Sequence, residues 1–303
     1  MTDADVRRAA FAWLSEQVEL HDDVLPRDIL ARGFTFAGER VPLLGPQGIF
    51  KPRIMELPLS ITTIVNGPYT DSFNSDDLLN YKYRGMNPNH HDNVGLRELM
   101  KRRQPLIYFH ALVPGKYLAS WPVFVVGDDP AALTFAVAAD DKFTLAKVTE
   151  PALDVIGDSE TQIRRGYVTA IVRQRIHQRA FRERVIDAYR RQCALCRLRH
   201  QELLDAAHIV PDSDPEGEPV VSNGIALCKL HHAAFDKYFI SVRPDYVIEV
   251  RRDVLVEEDG PMLRHGLQGM HQQRILIPGP THQHPDRALL DRRHQRFLEL
   301  SGG

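Results

Sequence analysis

Cysteine is scarce in this chain: there are three in 303 residues. An odd, small number argues against a disulfide framework. Long apolar runs are missing as well. None approaches the roughly 20 residues that a membrane-spanning helix needs, so no membrane partner is expected. The N-terminal stretch MTDADVRRAAFAWLSEQ is polar and amphipathic and lacks a cleavage-site pattern, which makes the cytoplasm the expected compartment. Nor is there a large charge of either sign. A formal net charge of −2 excludes the uniformly basic body of a general nucleic-acid coat. What remains, 26% charged and 43% hydrophobic residues, is ordinary for a globular protein. The length allows two modest domains or one large one.

The charge is unevenly spread. Between Arg164 and Arg199 stand eleven arginines against two acids, Glu183 and Asp187. Such a stretch can follow a phosphate backbone even when the total charge is near zero. It can equally be the solvated face of a helix. Phe181, Val185, Ala188 and Tyr189 share a helical face within it, leaving arginines on the other sides.

Residues 3–20 place Val6, Ala10, Trp13, Leu14 and Val18 near helical spacing, which predicts an amphipathic helix. From Gly33 to about Val126 the texture changes: Pro and Gly recur between short β-prone runs at Phe34–Phe36, Leu59–Val65, Leu106–Phe109, Tyr117–Leu118 and Val123–Val126. A helix is predicted near Val94–Arg102 and a further β-prone run at Leu133–Val137. Tyr238–Val242 and Tyr246–Val250 flank Arg243-Pro244-Asp245 as in a hairpin. Pro285 sits where a last helix can begin, with Leu289, Leu290, Phe297 and Leu300 as its apolar face. The expected domains are 1–160, mostly β, and 161–303, the arginine-rich helix with the remainder of the chain. Gly48-Ile49-Phe50-Lys51-Pro52 is a turn-rich basic patch that either touches phosphate or shapes a loop.

Two short ligand pairs stand out, Cys193-x-x-Cys196 and Cys228-x-x-His231. Zinc takes four such ligands tetrahedrally, and residues spaced by two can bite one ion from a tight turn. A redox role for the C-x-x-C lacks the surrounding βαβ pattern. Cys228 alone could also be a buried core thiol. Between and after the pairs lie Asp205-Ala206-Ala207-His208-Ile209, Asn223-Gly224-Ile225-Ala226-Leu227-Cys228 and His231-His232-Ala233-Ala234-Phe235-Asp236.

This order resembles the HNH, or ββα-metal, nuclease family, and more narrowly its branch with an A-A-H-I strand and an L-C-x-x-H-H-x-x-F-D helix. The resemblance covers roughly residues 185–245. It implies a metal-dependent endonuclease acting on double-stranded DNA. His208 would be the general base, His232 a ligand of the catalytic ion (Mg²⁺ or another divalent cation), and Asn223 the brace of the intervening loop. The chemistry suits these residue types. A neutral histidine can activate water near pH 7, and one divalent ion can stabilise charge at the phosphoryl oxygens. Asp236 lies four residues after His232 and can add a carboxylate to the same ion. One departure is Ala207, where many family members carry a further metal ligand. Asp205 shares a strand face with Ala207; it either reaches toward the ion or is a strand-end residue. The resemblance also admits an HNH endonuclease or nickase acting on unmodified DNA, and a zinc-containing protein that binds modified DNA without cutting.

Upstream, Asn66-Gly67-Pro68-Tyr69-Thr70-Asp71, then Asp76-Asp77, then Tyr81-Lys82-Tyr83-Arg84-Gly85, then Asn93-Val94-Gly95-Leu96 are similar in succession to the SRA (YDG) domain, which reads modified cytosine. That resemblance covers about residues 40–125. It implies an SRA/PUA-like fold in which Tyr69 and Tyr83 stack a flipped base. Asp71, with Asp77 next, would accept from the exocyclic amine of cytosine. The other reading makes Tyr69 and Tyr83 ordinary sheet aromatics and Asp71 a turn residue. The expectation is therefore an α+β protein: a β-rich SRA-like reader followed by a zinc-stapled HNH nuclease that restricts DNA carrying modified cytosine. One HNH site cuts one strand, so a homodimer is the corresponding expectation.

Overall fold

The computed structural model describes residues 2–63, 72–73, 78–140, 158–258 and 260–301. Two compact units divide the chain, Met1–Arg179 and Ala180–Gly303, and the division falls inside the arginine-rich helix. Each unit mixes α and β structure. No helix among the described residues is long and apolar enough to cross a membrane.

The first unit opens with α1 (Asp3–Leu20). Thr2 caps it: its hydroxyl accepts from the Asp5 N–H while the Asp5 carboxylate accepts from the Thr2 N–H, so two end donors are satisfied reciprocally. Val6, Ala10 and Leu14 recur at helical spacing and are buried, sharing a core with Leu25, Leu30, Ile107, Phe109 and Trp121. The chain continues through β1 (Val24–Pro26), α2 (Arg27–Arg32), a small hairpin of β2 (Phe34–Phe36) and β3 (Glu39–Val41), β4 (Ile49–Phe50), β5 (Ser60–Thr62), β6 (Ser72–Phe73) and β7 (Leu79–Lys82). Then come α3 (His91–Lys101), β8 (Leu106–Val113), β9 (Lys116–Asp129), β10 (Thr134–Ala139) and α4 (Asp158–Ala188).

The strands build one sheet in the order β4-β5-β8-β9-β10-β7-β6, with β1 also on β9. β5 and β8 run parallel. The sequence shows β9 as two runs, because Pro122 between them has no N–H to give a ladder. The structure keeps one strand. It places Pro122 at a register shift, between the pairs Leu106–Val123 and Tyr108–Ser120, a position where a sheet tolerates proline.

Many arginines of the basic stretch are tied internally. In the first unit Arg164 and Arg165 meet Asp140, Arg175 meets Asp23, and Arg179 meets Asp22 and Asp23. Those charges are met by carboxylates of the same unit.

The second unit takes the end of α4, then β11 (Leu204–His208), β12 (Gly224–Cys228), α5 (Lys229–Asp236), the hairpin of β13 (Ile240–Val242) and β14 (Ile248–Val250), α6 (Arg252–Val256), α7 (Pro261–Gly266) and α8 (Arg287–Ser301). Phe181 and Val185 of α4, and Tyr189 just after it, share its core with Leu204, Ala207, Ile225, Phe235, Ile240 and Ile248. Asp286 starts α8, its carboxylate accepting from the N–H groups of Ala288 and Leu289, a capping bond that fits the entry after Pro285.

Candidate active site

β11 and β12 pair antiparallel, with Leu204 opposite Cys228 and His208 opposite Gly224. α5 begins directly after β12. The ββα unit therefore gathers residues from both strands and the helix, and it does so around two separate clusters.

The first cluster is Cys193, Cys196, Cys228 and His231, whose donor atoms all lie within 4.8 Å of one another. His231 Nδ1 sits 3.4 Å from Cys193 Sγ and 3.2 Å from Cys228 Sγ, and the Cys196 and Cys228 sulfurs are 4.0 Å apart. A tetrahedral zinc, with bonds of about 2.3 Å to sulfur and 2.0–2.1 Å to nitrogen, requires donors about 3.5–3.8 Å apart. The set fits, and three sulfurs with one imidazole are the soft donors zinc takes. His231 Nε2–H donates to the Gly266 carbonyl at 2.6 Å, which fixes the tautomer that aims Nδ1 at the sulfurs. The hydrogen bond between Cys193 and Cys228 pushes the Cys228 thiol well down and the Cys193 thiol up, so thiolate, the metal-binding form, is favoured at Cys228.

The second cluster is built from oxygen and imidazole. His232 lies between two carboxylates: its Nδ1 is 3.4 Å from Asp205 and its Nε2 is 3.2 Å from Asp236. Their hydrogen bonds, Asp205's first, push His232 up to about 9. Burial works to raise the Asp205 carboxyl, but His232, the Ala206 N–H and Lys229 together hold it far below the usual carboxylate range. Asp205 also faces two fixed cations, Lys229 at 3.2 Å and Arg182 at 3.5 Å. Asp236 is more open, its side chain 53% exposed. A cation placed on this side could thus share His232 with one carboxylate while the other holds the far nitrogen.

His208 closes the strand nearby. Its ring stacks on Phe181, centroids 4.0 Å apart and planes 15° from parallel. Its Nε2 is buried without a hydrogen-bond partner. Burial lowers the His208 pKa, against the charges of Asp212, Asp236 and Asp205. Gly224 permits the stack. A Cβ there would come within 2.5 Å of Val185 and 2.9 Å of Phe181, so only glycine lets α4 approach the strand pair this closely.

Asn223 is fully buried and ties the loop between the strands. Its amide donates to the carbonyls of Val210 and Glu218, and it accepts from the Val210 N–H. The backbone just after His208 is thereby held at both ends of the loop.

In the first unit Tyr83 lines a cavity of about 220 Å³ together with Gly48, Thr63, Tyr81, Lys82 and Arg84. Its ring is buried and stacks on Phe135 at 4.5 Å, and its hydroxyl is bonded to Asp128 and to Arg97. Tyr69, Asp71 and Asp77 lie outside the described residues. A further group that could hold an ion, His90, His91 and Asp92, starts α3; Asp92 there is already paired with Arg84.

The HNH endonuclease family matches residues 193–243, the stretch that contains both clusters. The chain carries an HNH endonuclease domain. It is by that domain a DNA-hydrolysing nuclease. No curated protein matches the chain. Among solved structures it is similar to a chain described as a modification dependent TagI restriction endonuclease, at 13% identity and a TM-score of 0.29, covering 79% of this chain and 81% of that chain.

Three residues around the HNH domain's second cluster escape a motif reading. Phe181 and Arg182 come from α4, and Arg293 comes from α8, where it donates to the carbonyls of Ile209 and Phe235. A buried arginine has no sequence signature of its own.

Proposed function

We propose that the HNH domain cuts double-stranded DNA with His208 as general base, and that the first unit restricts the cutting to DNA carrying a modified cytosine. The observation that carries the cutting is the second cluster: an unpartnered buried imidazole nitrogen on β11 beside an imidazole flanked by two carboxylates. His232 and Asp236 would hold the divalent cation, Mg²⁺ or another. Bound there, the ion supplies charge stabilisation at the phosphoryl oxygens. Asp205, already met by Arg182 and Lys229, accepts from His232 Nδ1–H and so orients the ring. His208 Nε2 takes the proton of the attacking water; burial keeps that nitrogen neutral and able to accept it. Asn223 holds the loop that carries His208. Cys193, Cys196, Cys228 and His231 would hold a structural zinc.

For the reader, the cavity walled by Tyr83 is the candidate base pocket; the stacking and amine-accepting roles would fall to Tyr69 and Asp71, which lie outside the described residues. A flipped base needs its lost stacking replaced, which two tyrosines can do. Cutting both strands needs two active sites, so the active form would be a homodimer on DNA; sedimentation showing a strict monomer, free and bound, would count against it.

One observation favours a second reading. The Tyr83 ring is already stacked on Phe135 and its hydroxyl is already bonded, as in a core aromatic. The first unit would then read plain sequence or shape. Paired plasmids, modified and unmodified, incubated with Mg²⁺ or Mn²⁺ decide the matter. Cleavage of the modified plasmid alone supports the proposal. Equal cleavage supports the second reading, and binding without cleavage shows a module that senses DNA without cutting it.

A further inference from the structure

Arg293 is buried, with 6% of its surface exposed, and lies on α8, well beyond the stretch that matches the HNH family. Burying a guanidinium is unfavourable unless its donors are used. Two are used on the backbone: Nη1–H donates to the Ile209 carbonyl at 3.1 Å and Nη2–H to the Phe235 carbonyl at 2.6 Å. The guanidinium carbon stands 3.8 Å from the centre of the Phe235 ring and 4.7 Å from that of Tyr238, which fixes the plane of the fork.

The two acceptors are telling. Ile209 comes directly after His208, and Phe235 directly before Asp236. One rigid, planar group therefore spans the end of β11 and the end of α5. It sets the separation between the imidazole that takes the proton and the carboxylate that faces His232. The same helix holds the site at two further points. Arg292 meets Asp214 at 2.5 Å and Glu216 at 2.9 Å in the loop after β11, and the Asp286 N–H donates to the Ser222 carbonyl, beside Asn223.

We propose that Arg293 is a positioning residue for DNA cleavage, clamping β11 to α5 so that His208 and Asp236 keep their working distance. This rests on the reading of His208 as base and Asp236 as ion ligand. Displacing a reacting group by about 1 Å can slow a reaction about 100-fold, while the groups that bind the DNA are left in place.

The test uses the full chain with Arg293→Lys and Arg293→Ala. Arg293→Lys keeps the charge and the aliphatic stem but cannot present the fork. Single-turnover cleavage is expected to fall about 10- to 100-fold, with DNA affinity within about twofold of the parent and with zinc content and a cooperative melt retained. The Mn²⁺ concentration for half-maximal cleavage, and Mn²⁺ affinity read by paramagnetic resonance without DNA, should both weaken several-fold, on the order of an outer-partner mutation. In Arg293→Ala, millimolar guanidinium should restore part of the rate where the same concentration of NaCl does not. Arg293→Lys with parental rate and parental Mn²⁺ affinity overturns the proposal. So does loss of zinc or of the melt in both variants, which would make Arg293 a support of the whole domain. If the parent protein cuts no DNA, the nuclease reading fails on its own account. The Mn²⁺ titration then still decides the clamp: a weaker ion in Arg293→Lys sustains it, and an unchanged one overturns it.

Discussion

His231 and His232 are neighbours in the chain and opposites in setting. Successive residues on a helix turn by about 100°, so the two rings leave α5 on different sides. His231 is 1% exposed and faces two thiols. His232 is partly open and faces two carboxylates. A closed set of soft donors suits a structural metal, whereas hard oxygen donors with an open side suit an ion that must meet substrate. What each ring meets is set by its face of the helix, and substitutions can test whether the two clusters do the different work proposed for them.

The largest effect should come from the closed side. Cys193→Ser is expected to lose its metal and the cooperative melting of the second unit, because the free energy of binding a structural metal is folding free energy. Zinc content by elemental analysis and a thermal melt by circular dichroism read this directly, and a variant that melts like the parent would remove the distinction between the clusters. His208→Ala tests the open side. Cleavage should fall at least about 100-fold, with metal content unchanged and a cooperative melt retained; full activity in that variant would sink the assignment of the base.

The two carboxylates on His232 sharpen the contrast further. Asp236→Asn should raise the divalent ion concentration needed for cleavage more than Asp205→Asn does, since Asp205 is already matched by Lys229 and Arg182. An outer partner of a metal ligand is worth about 10- to 100-fold in affinity or activity, which bounds the Asp205 effect. The reverse order of the two variants would make Asp205 the ligand and Asp236 the outer partner.

How much of this could be read from the sequence depends on the range of each interaction. Cys193 with Cys196, and Cys228 with His231, are local pairs of donors spaced by two residues, so spacing alone exposes them. Asp236 is one helical turn from His232, again a local relation. Asp205 is different. Its approach to His232 depends on the β11–β12 register and on the seat of α5, and the strand face alone left it undecided. Phe181 and Arg293 reach the site from α4 and α8; the apolar helical face that carries Phe181 is legible locally, but nothing near either residue ties it to this site. The same division holds in the first unit. Its helices and short strands obey local patterning, while the parallel pairing of β5 with β8 and the sheet order are long-range choices that no local pattern carries.

The smallest expected effect concerns the Phe181–His208 stack. Burial disfavours the charged ring and sets the His208 pKa below its ordinary value of 6.5. On the proposed reading of His208 as base, the neutral imidazole is the working form, so the acid limb of the cleavage rate should lie below pH 6.5 in the parent. Phe181→Leu opens the ring to water and should move that limb up toward 6.5. Just below that value the variant should lag the parent by a few-fold, and well above it the two rates should meet. Stability carries the same sign. A histidine whose folded pKa is depressed binds fewer protons folded than unfolded, so its contribution is whole above the unfolded value and is lost as pH falls below it. Phe181→Leu should shrink this particular loss while lowering stability at every pH through the missing ring. Rate and melting profiles across roughly pH 5–8 separate the two consequences, and an acid limb that stays in place would show that Phe181 packs against His208 without setting its proton.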